Sequence, residues 1–151
     1  MVHISPCKKS DYKTLLQIEK SMFKNAVSVD GLKSFQTNAS HVIWKIQKIK
    51  IIGFVYFFHV KDEIEIIRIC IIKSQQNKNY GSLLIDEIKK LKIKKIFLEV
   101  STENINAINF YLKNGFQRIG VRKDYYANQK NYRIDALRFC FKPKKNEIFR
   151  C

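Results

Sequence analysis

The order of strand-like and helix-like segments is the feature that most constrains the fold of this chain. Strand-length apolar runs follow one another at 41–46, 51–58 and 63–72, with only short polar breaks between them. Downstream, segments with apolar residues every three or four positions alternate with further strand-length runs, in the order helix, strand, helix, strand, strand. Three successive strands, the last of which begins a β-α-β-α-β arrangement, predict a single-domain α/β (α+β) fold, a mixed sheet with helices on both faces.

Capping residues, turn residues and periodicity set the bounds of the other predicted elements. Helices are predicted over 11–23, with Ser10 or Asp11 as N-cap, over 80–91, and over 106–114, closed by Gly115 at C′. The remaining features are a strand over 2–5 that stops at Pro6, one or two helical turns over 30–35, a tight turn at Asp62-Glu63, a loop over 73–79, and strands over 96–100, 118–121 and 136–141. Because no Pro/Gly/Ser linker interrupts the series, we expect one domain over 1–141 and a basic C-terminal tail over 142–151.

Composition excludes several classes of protein. With 46% hydrophobic residues among 151, the chain is globular rather than disordered. No apolar run approaches the ~18–20 residues of a membrane span, and the first residues lack the layout of a signal peptide, so a cytoplasmic protein without a membrane partner is predicted. The cysteines (Cys7, Cys70, Cys140 and Cys151) include no C-x-x-C pair, which argues against a metal site or a disulfide framework.

The formal net charge of +16 indicates polyanionic partners, such as a phosphorylated cofactor or nucleic acid. The positive residues are mostly lysine, whereas arginine is the preferred residue for bidentate contacts with phosphates and bases. A chain rich in Lys, Ile and Asn is also typical of a proteome-wide compositional bias. We therefore expect weak, non-specific RNA contact at low salt rather than a dedicated nucleic-acid site.

The first candidate site is the segment Gln76-Asn-Lys-Asn-Tyr-Gly-Ser82, where a strand leads through a polar loop into a helix. The amides at the start of such a helix lack partners within it, and with the helix dipole they suit a pyrophosphate. Gly81 allows close approach of the backbone, Asn79 tolerates left-handed geometry, and Lys78 and Ser82 can add a charge and a hydroxyl. The alternative is that this is simply a helix that begins after a polar loop.

The second candidate is Glu99, within the strand Phe97-Leu-Glu-Val-Ser101. Alternation places Phe97 and Glu99 on one face and Leu98 and Val100 on the other. A carboxylate in an otherwise apolar central strand must find a partner, reach a cleft or raise its pKa, and the last two are what a general base needs. The alternative is an edge-facing or salt-bridged glutamate, paired with a nearby lysine.

Two further segments carry tyrosines. After Asn104, which is a good cap or a donor to a ligand, the helix brings Tyr111 to the same side as Ala107. The Tyr111 hydroxyl can face a cleft, or its ring can be part of the core. Tyr125 and Tyr126 are predicted in a loop between two strands, where they either form a wall that binds an acceptor or anchor the loop.

Taken together and in this order, these segments resemble the GCN5-related N-acetyltransferase (GNAT) family, and within it the type that acetylates the N-terminal alanine of a ribosomal protein. The similarity rests on Phe97-Leu-Glu-Val100, Asn104-x-x-Ala107-x-x-x-Tyr111-x-x-x-Gly115-Phe116, Gly120-Val-Arg-x-x-Tyr125-Tyr126 and Asp135-Ala-Leu137. It implies a GNAT-like, mixed and mostly antiparallel sheet. It also implies an enzyme that needs acetyl-CoA but no metal, and whose partner is the N-terminal peptide of a ribosomal protein.

The resemblance also implies roles for individual residues. It aligns Glu99 with the general base and Tyr111 with the general acid of direct amine attack on the thioester. The implied cofactor-binding groups are the backbone of Ile69, Cys70 and Ile71, the loop residues Asn77, Lys78, Asn79, Tyr80, Gly81 and Ser82, and Asn104. The chain departs from the family's Q/R-x-x-G-x-G/A pattern at Asn79, which replaces the first glycine.

The sequence leaves the acceptor open. A basic surface steers a polyanionic cofactor inward but repels a basic peptide, so either the acceptor groove is locally acidic or the acceptor is not strongly basic. The candidates for acidic groove residues are Asp62, Glu63, Glu65, Asp124 and Asp135. Two rival functions fit the same pattern. One is an enzyme of this fold that acts on a lysine, a polyamine or a small-molecule amine, and the second is a non-catalytic module that binds acyl-CoA or RNA.

Overall fold

The structure, a computed structural model, describes residues 1–23, 31, 37–127, 130 and 132–144. Its strands are β1 (His3–Pro6), β2 (His41–Gln47), β3 (Ile51–Val60), β4 (Glu63–Ile71), β5 (Lys95–Ser101), β6 (Gln117–Ala127) and β7 (Arg133–Phe141). Its α-helices are α1 (Tyr12–Met22), α2 (Tyr80–Lys89) and α3 (Ile105–Lys113), and short 3-10 turns span Lys9–Asp11 and Lys73–Gln75. None of the helices in these ranges is long and apolar enough to cross a membrane.

The strands form one seven-stranded sheet in the order β1-β2-β3-β4-β5-β7-β6. β4 and β5 pair in parallel, from Glu63 opposite Lys95 to Ile66 opposite Leu98. The pairs β1/β2, β2/β3, β5/β7 and β6/β7 are antiparallel. The predicted mixed and mostly antiparallel sheet is therefore confirmed.

The chain divides into two compact units, and residues 1–60 and 67–91 form the first. Its core is a cluster of Leu15 and Ile18 from α1 with Phe54 of β3 and Cys70 of β4. The apolar side of α1 supplies this cluster because its leucine and isoleucine recur at helical spacing.

Residues 61–66 and those from 92 onward form the second unit. In β5 the side chains of Ile96, Leu98 and Val100 are buried, whereas those between them are only half-buried. Rings from α3 and the following chain pack together, with the Tyr111 centroid 5.6 Å from that of Phe116. The strict alternation in β5 confirms the face assignment made from the sequence.

Most predicted elements are confirmed, with bounds shifted by a few residues. Two predictions are wrong. The tight turn is formed by Lys61 and Asp62, with Lys61 at φ 54°, and Glu63 already belongs to β4. Tyr125 and Tyr126 lie on β6 and not in a loop, because the strand continues past an irregularity between Arg122 and Tyr126.

Two other predictions fall largely outside the described residues. Of the helical turns expected over 30–35, only residue 31 is described. Of the predicted tail over 142–151, only residues 142–144 are described. Both stay predictions.

Candidate active site

The loop between β4 and α2 has an unusual backbone. Asn77 and Asn79 have φ angles of 58° and 66°, both in the left-handed region. Asparagine reaches this region at less cost than other side chains except glycine. Asn79 is the N-cap of α2, which begins at Tyr80. The expectation that Asn79 can replace a glycine in a left-handed conformation is therefore confirmed.

The start of α2 offers unpaired amides, as the first turn of any helix does. Ser82 in this turn is buried, and the Lys78 ammonium group folds back to donate to the carbonyl oxygen of Ser74 at 3.2 Å. The Gln76 side-chain amide donates to the carbonyl oxygen of Ile71 at 2.9 Å and so ties the loop to the end of β4. The amides, the dipole of α2 and Lys78 together suit a diphosphate.

Lysines of the β2–β3 turn lie close to this loop, which the sequence alone does not predict. The Lys48 ammonium nitrogen is 5.0 Å from the centroid of the Tyr80 ring. A surface pocket of the same unit is lined by Met1, Lys48, Ile49, Lys50, Ile52 and Gln75. The sequence shows that this turn carries two lysines, Lys48 and Lys50, but only the folded structure shows that they lie near the loop between β4 and α2.

The end of β4 carries the backbone groups assigned to the cofactor. Ile69, Cys70 and Ile71 follow the parallel β4/β5 register, which runs as far as Ile66 opposite Leu98. Burial raises the pKa of the Cys70 thiol to about 12, and burial likewise raises the pKa of Cys7 to about 12. Both thiols therefore stay protonated at neutral pH, which makes them poor nucleophiles.

Glu99 lies in β5 with its side chain 16% exposed and two arginines against it. Arg138, its partner across the antiparallel β5/β7 pair, places Nε 3.4 Å from Oε1 of Glu99. Nη1 of Arg122 on β6 is 3.4 Å from each carboxylate oxygen. Of the alternatives that the sequence leaves open, the structure shows a salt-bridged glutamate, with two arginines as partners and not a nearby lysine.

Tyr111 is 7% exposed and packs among aromatic rings of α3, β7 and the segment between them. Burial raises the pKa of its hydroxyl, and interaction with Tyr126 adds to the effect. Asn104 caps α3, with its Oδ1 accepting from the amide of Ala107 at 3.2 Å. The cap expected at Asn104 is confirmed, while its contact with a cofactor stays a prediction.

The two tyrosines of β6, an exposed Tyr125 and a half-buried Tyr126, contact each other, and Tyr125 also contacts an arginine. The Tyr125 and Tyr126 rings are 4.9 Å apart, and the Arg122 guanidinium carbon lies 4.3 Å from the centroid of Tyr125. Arg122 thus contacts both the Glu99 carboxylate and the Tyr125 ring, and all three residues belong to the second unit. The sequence alone gives neither Arg122 nor Arg138 a role beside Glu99, although Arg122 belongs to the motif that ends at Tyr126.

Acidic side chains proposed for an acceptor groove are mostly paired with lysines. Asp62 lies 2.6 Å from Lys94, and Asp135 lies 3.2 Å from Lys123. Glu63 is 3.8 Å from the ammonium group of Lys95. Within the described ranges, no three His, Cys, Asp or Glu side chains are grouped so that they could hold a metal ion.

Comparisons with known proteins agree with this geometry. Residues 10–116 match the acetyltransferase (GNAT) family. The ribosomal protein bS18-alanine N-acetyltransferase of Haemophilus influenzae is 29% identical over 138 residues, which cover 89% of this chain and 94% of the relative.

Solved structures show the same fold. The ribosomal-protein-S18-alanine N-acetyltransferase from Escherichia coli superposes with a TM-score of 0.85 at 24% identity, over 97% of this chain and 98% of the other. Arabidopsis thaliana NAA60 in complex with acetyl-CoA gives a TM-score of 0.80 at 16% identity, over 94% and 98% of the two chains.

Proposed function

The chain belongs to the acetyltransferase (GNAT) family, and on that premise we propose that it transfers the acetyl group of acetyl-CoA to the N-terminal amine, an alanine, of a ribosomal protein in the cytoplasm. The observation that carries the proposal is the similarity to the Haemophilus influenzae enzyme, because it covers 89% of this chain and 94% of that one. Because the sequence similarity extends over nearly the whole of both chains, it includes the segments that bind the acceptor.

The first unit supplies groups suited to the phosphates of acetyl-CoA. In this proposal the amides of residues 77–82 bind the pyrophosphate, and the left-handed Asn77 and Asn79 shape the loop around it. Lys48, Lys50 and Lys78 add positive charge beside the loop. The backbone of Ile69–Ile71 pairs with the pantetheine arm as an added strand would, and an amide near Ile71 stabilises the developing oxyanion.

The second unit supplies groups for proton transfer. An N-terminal amine has a pKa of about 8 and is mostly protonated at neutral pH, so it must lose a proton before it attacks a thioester. In the proposal Glu99 accepts this proton through a water molecule, and Tyr111 protonates the departing thiolate. Burial raises the pKa of Tyr111, so its hydroxyl is protonated at neutral pH, as a proton donor must be. The protonated thiols of Cys7 and Cys70 favour direct attack over an acyl-enzyme.

The test is intact-mass analysis of a synthetic peptide that begins with alanine, incubated with acetyl-CoA and the protein. We expect a gain of about 42 Da that maps to the N-terminal residue. A second peptide, blocked at its N-terminus and carrying an internal lysine, distinguishes a lysine acetyltransferase. Transfer to the lysine peptide alone would refute the proposed acceptor.

A matched pair of variants tests the role of Glu99. Glu99→Gln removes the proposed base, and we expect the turnover number to fall by ~10²–10⁴. Glu103→Gln makes the same change of charge at an exposed position and should leave turnover within about twofold of the parent chain. Equal turnover in the two variants would show that Glu99 is not the base.

A further inference from the structure

The turn between β2 and β3 concentrates positive charge at one end of the first unit. Lys48 and Lys50 lie in this turn, which is closed by a hydrogen bond from the amide of Lys48 to the carbonyl oxygen of Lys50 at 3.0 Å. Both side chains are exposed, and within the described part of the chain neither forms an ion pair. The sequence has no aspartate or glutamate over 31–61 or over 66–85. The two ammonium groups are therefore not neutralised by acids of the turn, of the two strands it joins or of the loop after β4.

This turn lies beside the loop proposed to bind the diphosphate of acetyl-CoA. The amide of Ile72 donates to the carbonyl oxygen of Ile52 at 2.9 Å, which fixes the start of β3 against the end of β4. The Lys48 ammonium nitrogen lies 5.0 Å from the centroid of the Tyr80 ring, a distance at which the cation is attracted to the ring. Because Tyr80 is the first residue of α2 and follows the left-handed Asn79, this contact holds Lys48 at the edge of the loop.

A surface pocket includes both lysines in its lining. Its volume of about 590 Å³ is within the range of ~300–1,000 Å³ that is usual for small-molecule sites. It is lined by Met1, Lys48, Ile49, Lys50, Ile52 and Gln75. Ile49 is 94% exposed, so an apolar side chain stands in water between the two lysines. Apolar groups beside two ammonium groups suit a ligand in which a flat base is attached to a phosphate.

Acetyl-CoA carries, besides its diphosphate, a phosphate on the 3′ oxygen of its adenosine. A phosphate monoester has a charge of about −1.5 to −2 at pH 7, and lysine binds phosphate as a point charge. We infer that Lys48 and Lys50 bind this 3′-phosphate, with the adenine ring against Ile49, while the amides at the start of α2 bind the diphosphate. The inference rests on the proposed use of acetyl-CoA.

The lysine of the loop itself, Lys78, is less suited to this role. Its ammonium group already donates to the carbonyl oxygen of Ser74 at 3.2 Å and to Oε1 of Gln75 at 3.4 Å. Among the described residues, the ammonium groups of Lys48 and Lys50 have no such acceptors. All their N–H donors therefore remain available to a phosphate.

The experiment compares acetyl-CoA with 3′-dephospho-acetyl-CoA, which lacks only the phosphate in question. Calorimetric titration of the protein without an acceptor measures the dissociation constant of each ligand, so the result does not depend on turnover. At low salt we expect the 3′-dephospho form to bind about tenfold more weakly, because two contacts between exposed charges are lost. The difference should shrink as the ionic strength rises, since such contacts are screened.

Variants show whether the two lysines are responsible. In the double variant Lys48→Gln/Lys50→Gln the dissociation constants of the two ligands should differ by about threefold or less. The control Lys13→Gln/Lys20→Gln, at exposed positions of α1, makes the same change of net charge and should keep the difference of about tenfold. Ile49→Ser should weaken the binding of both ligands by about threefold and leave their ratio unchanged, because it removes apolar contact with the base alone.

The outcomes separate this inference from the proposed function. Equal binding of the two ligands by the parent chain would overturn the inference and leave acetyl-CoA as the acetyl donor. A difference that persists in full in Lys48→Gln/Lys50→Gln would also overturn it, because another group would then bind the 3′-phosphate. Unchanged binding in Ile49→Ser would overturn the placement of the adenine ring. If neither ligand binds the parent chain, the proposed use of acetyl-CoA fails together with the inference.

Discussion

Gly53 offers the sharpest test of the packing beneath the proposed cofactor site. This residue of β3 faces β4 so closely that an added Cβ atom would lie 2.3 Å from the carbonyl oxygen of Cys70 and 2.6 Å from Cδ1 of Ile71. The Ile71 methyl group can rotate away, but the Cys70 oxygen is part of the backbone. To reach the 3.0 Å that Cβ atoms in proteins respect, Gly53→Ala must move the strands apart by 0.7 Å.

The cost follows from the two interactions that this movement strains. Inserting a methyl group into a packed interior costs about 1–3 kcal/mol, and weakening the bond from the amide of Ile72 to the carbonyl of Ile52 costs about 1 kcal/mol more. We expect Gly53→Ala to lower the free energy of unfolding by about 2–4 kcal/mol. For a chain of this size the melting temperature should fall by roughly 5–15 °C.

Gly120→Ala is the matched control, because a Cβ atom there meets nothing within 4 Å. Alanine loses less backbone freedom on folding than glycine, so this variant should be unchanged or more stable by up to about 1 kcal/mol. Thermal unfolding measured by circular dichroism compares the two. If Gly53→Ala melts within about 2 °C of the parent chain, the close approach of β3 to Cys70 is not present in solution. In Gly53→Ala the dissociation constant for acetyl-CoA should also rise, since Cys70 belongs to the backbone proposed to bind it.

Three other predictions concern the loop, the proposed acid and one ion pair. Calorimetric titration with acetyl-CoA should show weaker binding for Asn79→Ala than for Asn79→Gly. The left-handed backbone conformation costs alanine about 1–2 kcal/mol of conformational free energy, whereas glycine adopts it at no such cost. Tyr111→Phe should lower turnover, measured by thiol release, by ~10²–10⁴ while keeping the melting temperature, because the ring still packs. For Asp11, burial raises the pKa, but the hydrogen bond from Lys45 and the amide of Lys8 outweigh it and leave the pKa lowered. The pair therefore stabilises the fold above pH ~4, and this stabilisation is lost as the pH falls through the lowered pKa. In Lys45→Met the free energy of unfolding, measured with urea, should fall by about 1 kcal/mol less than in the parent chain over this pH range.

Features that depend on consecutive residues are predictable from the sequence. The alternation in β5 is one, because successive side chains of a strand point to opposite faces whatever the rest of the chain does. The left-handed conformation of Asn79 is another, and Gly115 closes α3 at φ 85° as its position suggests. Each of these follows from local sterics, and none requires knowledge of a distant partner.

Features that depend on register are not predictable in this way. The β6/β7 pair shifts register between Arg118 and Gly120 and again between Arg122 and Tyr126. Each shift changes which residues of β6 face a given residue of β7, so alternation counted along the sequence fails there. This explains why the sequence predicts a loop at Tyr125 and Tyr126, and why it points to a nearby lysine rather than two distant arginines as the partner of Glu99.

The ion pairs of Glu99 decide between a structural and a catalytic carboxylate, because the two roles predict different losses. Pairs with half-exposed partners contribute only about 0.2–1 kcal/mol each, so a structural glutamate here stabilises the fold weakly and gives way readily to an arriving amine. Glu99→Gln keeps the size of the side chain and should lower the melting temperature by no more than about 5 °C. If Glu99 is the general base, in contrast, Glu99→Gln removes the group that accepts the proton, and turnover falls. A large loss of turnover in a variant that melts almost as the parent does therefore assigns Glu99 to the chemistry, whereas a large loss of stability with turnover retained assigns it to the sheet.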